Sequence, residues 1–116
     1  MDGHGRVMTE SRRLFDHPIT YTLHPLDDGV HVLLTGGCRS HIGAVSVAEQ
    51  GVVETKVFPG HKDHFLSEPW ALAISEKTGQ RCCVVCGIHY DDATKEQIKA
   101  IVDAAGELLA KLLEKL

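Results

Sequence analysis

Nowhere in the 116 residues does an apolar run approach the roughly 18 uninterrupted residues that a membrane helix requires, so no membrane association is expected. The first ten residues, M-D-G-H-G-R-V-M-T-E, contain acidic side chains and no apolar stretch. That excludes a secretory signal peptide and makes the cytoplasm the expected location. Excess positive charge is also missing. Lys and Arg number 12 against 16 Asp and Glu, a net charge of -4, and the basic residues form no stripe, so nucleic acid is not an expected partner. There is no G-x-G-x-x-G and no glycine loop ending in G-K-[ST], which removes the two commonest nucleotide signatures. Nothing in the sequence marks a catalytic triad, and no second C-x-x-C accompanies Cys83-Val84-Val85-Cys86, so cysteines alone do not make a zinc site.

The hydrophobic fraction of 43% and charged fraction of 24% are those of an ordinary globular chain, and the length suits one domain. That domain is expected over residues 15–116, behind a polar, flexible tail at 1–14. Its centre is the stretch 30–49, V-H-V-L-L-T-G-G-C-R-S-H-I-G-A-V-S-V-A-E. Val30, Val32 and Leu34 alternate with His31, Leu33 and Thr35. Beyond a glycine-bearing segment, Val45 and Val47 alternate with Ala44, Ser46 and Ala48. This period of two predicts two strands.

The same alternation predicts an earlier strand over 19–24, joined to 30–35 by the Pro25 to Gly29 turn, and a later one over 53–57 after Gln50-Gly51. Connections this short predict a four-stranded antiparallel meander. Pro59-Gly60 ends it. Residues 61–78 then turn helical, with Phe65, Trp70 and Ile74 able to share a face. Pro69 is tolerated only in a first turn, so the helix is expected to start at Ser67 as N-cap and stop at Gly79. The run 81–88 is apolar on both faces, which predicts a central strand whose cysteines act as small hydrophobes rather than redox groups. Thr94-Lys95-Glu96-Gln97 fits a capping box that opens a long amphipathic helix ending near Leu116. The order ββββαβα implies an α+β fold: one antiparallel sheet, with two helices packed on one face. The other face carries a mixture of apolar and small residues, and it, or the Leu-rich end of the last helix, is expected to be partly closed by a second copy in a homodimer.

Three strand-following loops hold more polar chemistry than turning requires. They carry Arg39, His41, His61, Lys62, Asp63, His64, His89, Tyr90, Asp91 and Asp92. Glycine N–H groups with Arg39 or Lys62 could hold a phosphate. Alternatively, the glycines serve only as turns, and the histidines His41, His61 and His89 hold a metal in a hydrolase-like site.

The segments L-L-T-G-G-C-R-S-H-I-G-A-V (33–45), P-G-H-K-D (59–63) and C-G-I-H-Y-D-D-A-T-K-E-Q-I (86–98) resemble, in order and context, the LpdD-like prenylated-flavin chaperones that accompany aromatic acid decarboxylases. The resemblance covers residues 15–116, and Pro69 departs from it. It implies a fold like that of proteasome assembly chaperones, a homodimer and no catalytic turnover. It also implies that reduced prenylated FMN is bound as cargo and delivered to an apo-decarboxylase of the UbiD type. The motif positions carried over as cofactor-binding are Gly36, Gly37, Arg39, His41, Gly43, His61, Lys62 and His89, with no metal ligand among them. Two alternatives stand beside this reading: the metal-binding hydrolase, and a purely structural dimeric assembly factor that binds no flavin.

Overall fold

The computed structural model describes residues 6–60 and 62–116. Eight elements follow in the order β1 (Met8–Arg12), β2 (Ile19–Leu26), β3 (Gly29–Gly37), β4 (Ala44–Glu49), β5 (Val52–Val57), α1 (His64–Thr78), β6 (Cys82–His89) and α2 (Lys95–Lys115). The strands form one sheet in the order β1-β2-β3-β6-β4-β5. The α+β class and the single helix-covered face are as expected.

The meander is not. β6 lies between β3 and β4, parallel to the first and antiparallel to the second. β3 and β4 run in opposite directions, so their connection stays at one end of the sheet and only has to step across one intervening strand. That is a span of about 10 Å, within easy reach of the six residues 38–43. The link reads as a hairpin turn because its length permits one; the inserted strand comes from 44 residues further on. Apolar residues on both faces of β6 agree with this position, flanked on both sides.

The N-terminal segment, expected to be loose, is in part a strand. Met8–Arg12 pairs antiparallel with Ile19–Leu23 along the sheet edge. Its polar composition hides it: Glu10 accepts hydrogen bonds from the Tyr21 hydroxyl (2.7 Å) and from Lys115, and Arg12 pairs with Glu107 of α2. On the outer face Thr9 and Ser11 bond to Thr22 and Thr20.

The core lies between the sheet and both helices. Ile19, Tyr21 and Leu23 of β2, Val32 and Leu34 of β3, and Cys82, Val84 and Cys86 of β6 face Leu66, Trp70 and Ile74 of α1 and Leu108 and Leu112 of α2. The Trp70 ring meets that of Tyr21 edge-on, with centroids 5.8 Å apart. Over β4 the side chains are small. Ala44, Ser46 and Ala48 lie beneath α1, and Ser46 bonds at 2.7 Å to Ser67 and at 2.8 Å to Thr55, so the buried hydroxyls satisfy one another.

α1 starts at His64, three residues ahead of the expected Ser67 cap, and therefore contains Pro69 in its interior. Pro69 is exposed, so the carbonyl its missing N–H leaves unmatched, that of Phe65, lies on the solvent side. Phe65 itself, expected in the core, is 65% exposed. α2 carries the expected capping box, with Thr94 and Gln97 each accepting from the other's backbone N–H. Among the described residues no helix is long and apolar enough to cross a membrane.

Candidate functional site

Inserting β6 between β3 and β4 brings all three polar loops to one end of the sheet. The 38–43 link must pass over the end of β6, and it is tied down there. Cys38 N–H donates to the His89 carbonyl at 2.7 Å, and Gly43 N–H donates to that of Cys86 at 2.9 Å. The link lies so close that a Cβ on Gly87 would stand 1.6 Å from the His41 carbonyl oxygen. A Cβ on Gly43 would stand 1.9 Å from Asp63 Oδ2. These glycines are therefore required by close approach of backbone and carboxylate.

Asp63 joins the three loops. It is 7% exposed and forms the N-cap of α1, yet its side chain does not cap the helix. One carboxylate oxygen accepts the Ile88 N–H at 2.9 Å, and the other lies 3.0 Å from His41 Nε2. The Cys86 thiol points at the same carboxylate from 3.9 Å. Burial, and secondarily that carboxylate, pushes the Cys86 thiol well above the usual thiol range, so it is a structural thiol rather than a nucleophile. The four cysteines are all unbridged.

His89 bonds through Nε2 to Asp91 at 2.9 Å, and its ring stands edge-on to His41 with centroids 6.4 Å apart. Beyond His89 the chain is anchored by Tyr90, whose hydroxyl donates to the His17 carbonyl and whose ring packs edge-on against Phe15.

Next to this cluster runs a groove of about 480 Å³ between the start of α1, the end of β6 and the first half of α2. Phe65, Leu66, Ile88, Ile98, Ile101 and Val102 form its apolar walls, and Lys62, Asp63 and His89 stand at its polar end. The groove lies along the first turns of α2, whose fully buried residues begin at Ala104. Ile98 and Val102 remain 51% and 46% exposed.

Of the residues marked in the sequence, His41, Gly43, Lys62 and His89 meet in this cluster. Gly36 and Gly37 close β3 beside it, paired with Ile88 and His89. Arg39 sits at the exposed crest of the link, with its carbonyl 3.4 Å from His41 Nδ1. Arg39 and Lys62 take part in no ion pair among the described residues. His61 lies outside the described residues. The joint that sequence reasoning did not select is Asp63. It was visible in P-G-H-K-D, but its partners are 22 and 25 residues away. Among the described residues no group of three or more His, Cys, Asp or Glu side chains is placed to hold a metal ion.

Residues 14–116 match the prenylated flavin chaperone LpdD-like domain. The chain belongs to this family. Protein LpdD of Lactiplantibacillus plantarum is 34% identical over 88 residues, which cover 71% of this chain and 65% of that protein's length. The chain thus spans slightly less than two-thirds of its relative. Family membership begins at residue 14, so β1 stands ahead of the matched domain. In fold, this LpdD-like chain is similar to the crystal structure of a chaperone complex for yeast 20S proteasome assembly, with a TM-score of 0.53 over 93% of each chain at 20% identity.

Proposed function

We propose that this LpdD-like protein is a cytoplasmic, non-catalytic carrier that binds reduced prenylated FMN and passes it to an apo-decarboxylase of the UbiD type. The observation that carries the reading is the apolar groove opening beside Lys62 and His89, at the end of the sheet where the three loops meet. A flavin mononucleotide has a planar ring system, which belongs against apolar walls, and a dianionic phosphate, which belongs among cations and backbone N–H groups. The groove volume falls in the range of about 300–1,000 Å³ usual for small-molecule sites. Lys62 and the N-terminus of α1 supply positive charge at its polar end, Arg39 stands on the 38–43 link at the same end of the sheet, and His89 supplies a ring nitrogen for the ligand's polar edge.

Such a carrier should hold its cargo without turning it over. The nearby Cys86 thiol, held protonated by burial, is no nucleophile, and the carboxylates beside His41 and His89 fix the orientation of those rings. The test is anaerobic titration of the protein with reduced prenylated FMN. Arg39→Ala or Lys62→Ala should weaken binding by about 1.5–3 kcal/mol, roughly ten- to a hundredfold or slightly more, if either grips the phosphate. Arg39→Lys should restore only part of the loss, because a point charge does not reproduce the bidentate fork. Val102→Asp, on the exposed groove wall, should abolish ring binding with the fold intact by circular dichroism. The loaded protein should raise the activity of a cognate apo-decarboxylase while decarboxylating nothing itself. A folded protein that binds no reduced flavin under strict anaerobiosis favours the structural assembly factor instead.

A further inference from the structure

The sheet face turned away from the helices carries a second constellation, independent of the groove. His24 and His31 stand opposite one another across the β2–β3 pair, and their Nδ1 atoms are 3.2 Å apart. The rings are inclined by 31° with centroids 5.3 Å apart. In the absence of metal this is a hydrogen bond in which one Nδ1 donates to the other. The same separation is also the bite of a chelate. With metal–nitrogen bonds of about 2.0–2.1 Å, two nitrogens 3.2 Å apart subtend roughly 100–106° at the ion, slightly under the tetrahedral angle.

We propose that His24 and His31 form a two-histidine chelate for a late first-row divalent cation on the open face of the sheet. The metal takes the place of the shared proton. The ring that donates through Nδ1 shifts to its Nε2–H tautomer, so a neutral pair binds without net proton release. Imidazole donors suit nickel, copper and zinc over magnesium or calcium. Adjacent strands hold both rings at a fixed Cβ separation of about 4.5–5.5 Å, so little freedom is lost on binding. Cys83 is the next position of the row, opposite His31 on β6. Among the described residues no third ligand side chain closes the site, so the remaining coordination positions are open to water or to an external donor.

Nickel(II) and zinc(II) titrations of the full chain by calorimetry, with no flavin present, test the assignment. One ion per chain should bind, and His24→Gln or His31→Gln should each weaken binding at least tenfold, while His41→Gln or His89→Gln should leave it unchanged. Should a variant fail to fold, nickel(II) added to the wild-type protein provides a second readout by amide NMR. Paramagnetic broadening centred on residues 22–26, 30–33 and 83 supports the chelate. Broadening centred on His41 and His89 or on His4, binding that survives both Gln substitutions, or no binding at all overturns it.

Discussion

A single carboxylate, that of Asp63, ties three distant segments together, and its burial makes it the residue whose loss should be felt most at this end of the molecule. Asp63→Ala leaves the Ile88 N–H without its acceptor in a buried setting and removes the anchor of His41. The expected cost is about 1–3 kcal/mol, measured by urea denaturation. Asp63→Asn should cost less, because an amide can accept from Ile88 through its oxygen and meet His41 through its NH2. Equal stability of Asp63→Ala and wild type would mean that the carboxylate organises nothing. The glycines follow the same logic. At Gly87 the sequence shows only a glycine in a strand, whereas the reason for it, the His41 carbonyl lying against it, arrives from another loop. The cysteines were easier to read. C-C-V-V-C-G-I is a strand with Cys82 and Cys86 packed as hydrophobes and Cys83 half-buried on the opposite face, and burial pushes the Cys82 thiol up to about 12.

Elements whose signal is local were legible: four strands by alternation, α2 by its capping box, and the central place of β6 by apolar residues on both faces. What failed depended on partners. The β3–β4 turn looked like a hairpin because alternation states that a strand exists and not which strand lies beside it. β1 was missed because two of its three inward positions, Glu10 and Arg12, are charged and are accommodated by Lys115, Tyr21 and Glu107, which no short window contains. The start of α1 was missed because Asp63 spends its side chain on Ile88 and His41 instead of capping the helix. Pairing β1 through Glu10 has a pH consequence. Hydrogen bonds from Lys115 and then from Tyr21 hold its carboxyl below the ordinary 4.5. A depressed carboxylate stabilises the fold fully above its unfolded value, and that contribution disappears as pH falls through the folded one. Acidification from pH 5 downward should therefore destabilise the wild type more steeply than Glu10→Gln in parallel denaturant melts, and superimposable acid limbs would refute the coupling.

The molecule as a whole leaves one face of its sheet uncovered, and the strand registers show what that face displays. Thr22, Leu33, Val85, Val45 and Lys56 make one row across five strands, and His24, His31, Cys83, Val47 and Glu54 make the next. The centre of the first row is apolar on β3, β6 and β4, the second continues it with Cys83 and Val47 while its β3 position is His31, and the ends of both rows are polar. An antiparallel sheet that faces water normally alternates toward polar residues on that side, so an apolar centre with a polar border has the anatomy of an interface. Leu33 and Val47 are each 37% exposed at its middle, and leaving such surface in water forgoes about 25 cal/mol per Å². A second copy packed over Leu33, Val85, Val45 and Val47 would bury it and leave the His24–His31 pair at the polar border of the contact. The groove beside α2 lies on the helical side and stays open in such a dimer, which separates assembly from ligand binding. Light scattering at micromolar concentration should then find a dimer. Leu33→Asp or Val47→Asp should give a folded monomer, while Phe65→Asp, on the groove, should weaken flavin binding and leave the dimer intact. A wild-type monomer, or a dimer indifferent to charge at Leu33 and Val47, would place the contact elsewhere, and the exposed Phe65, Ile98 and Val102 of the groove would be the next surface to test.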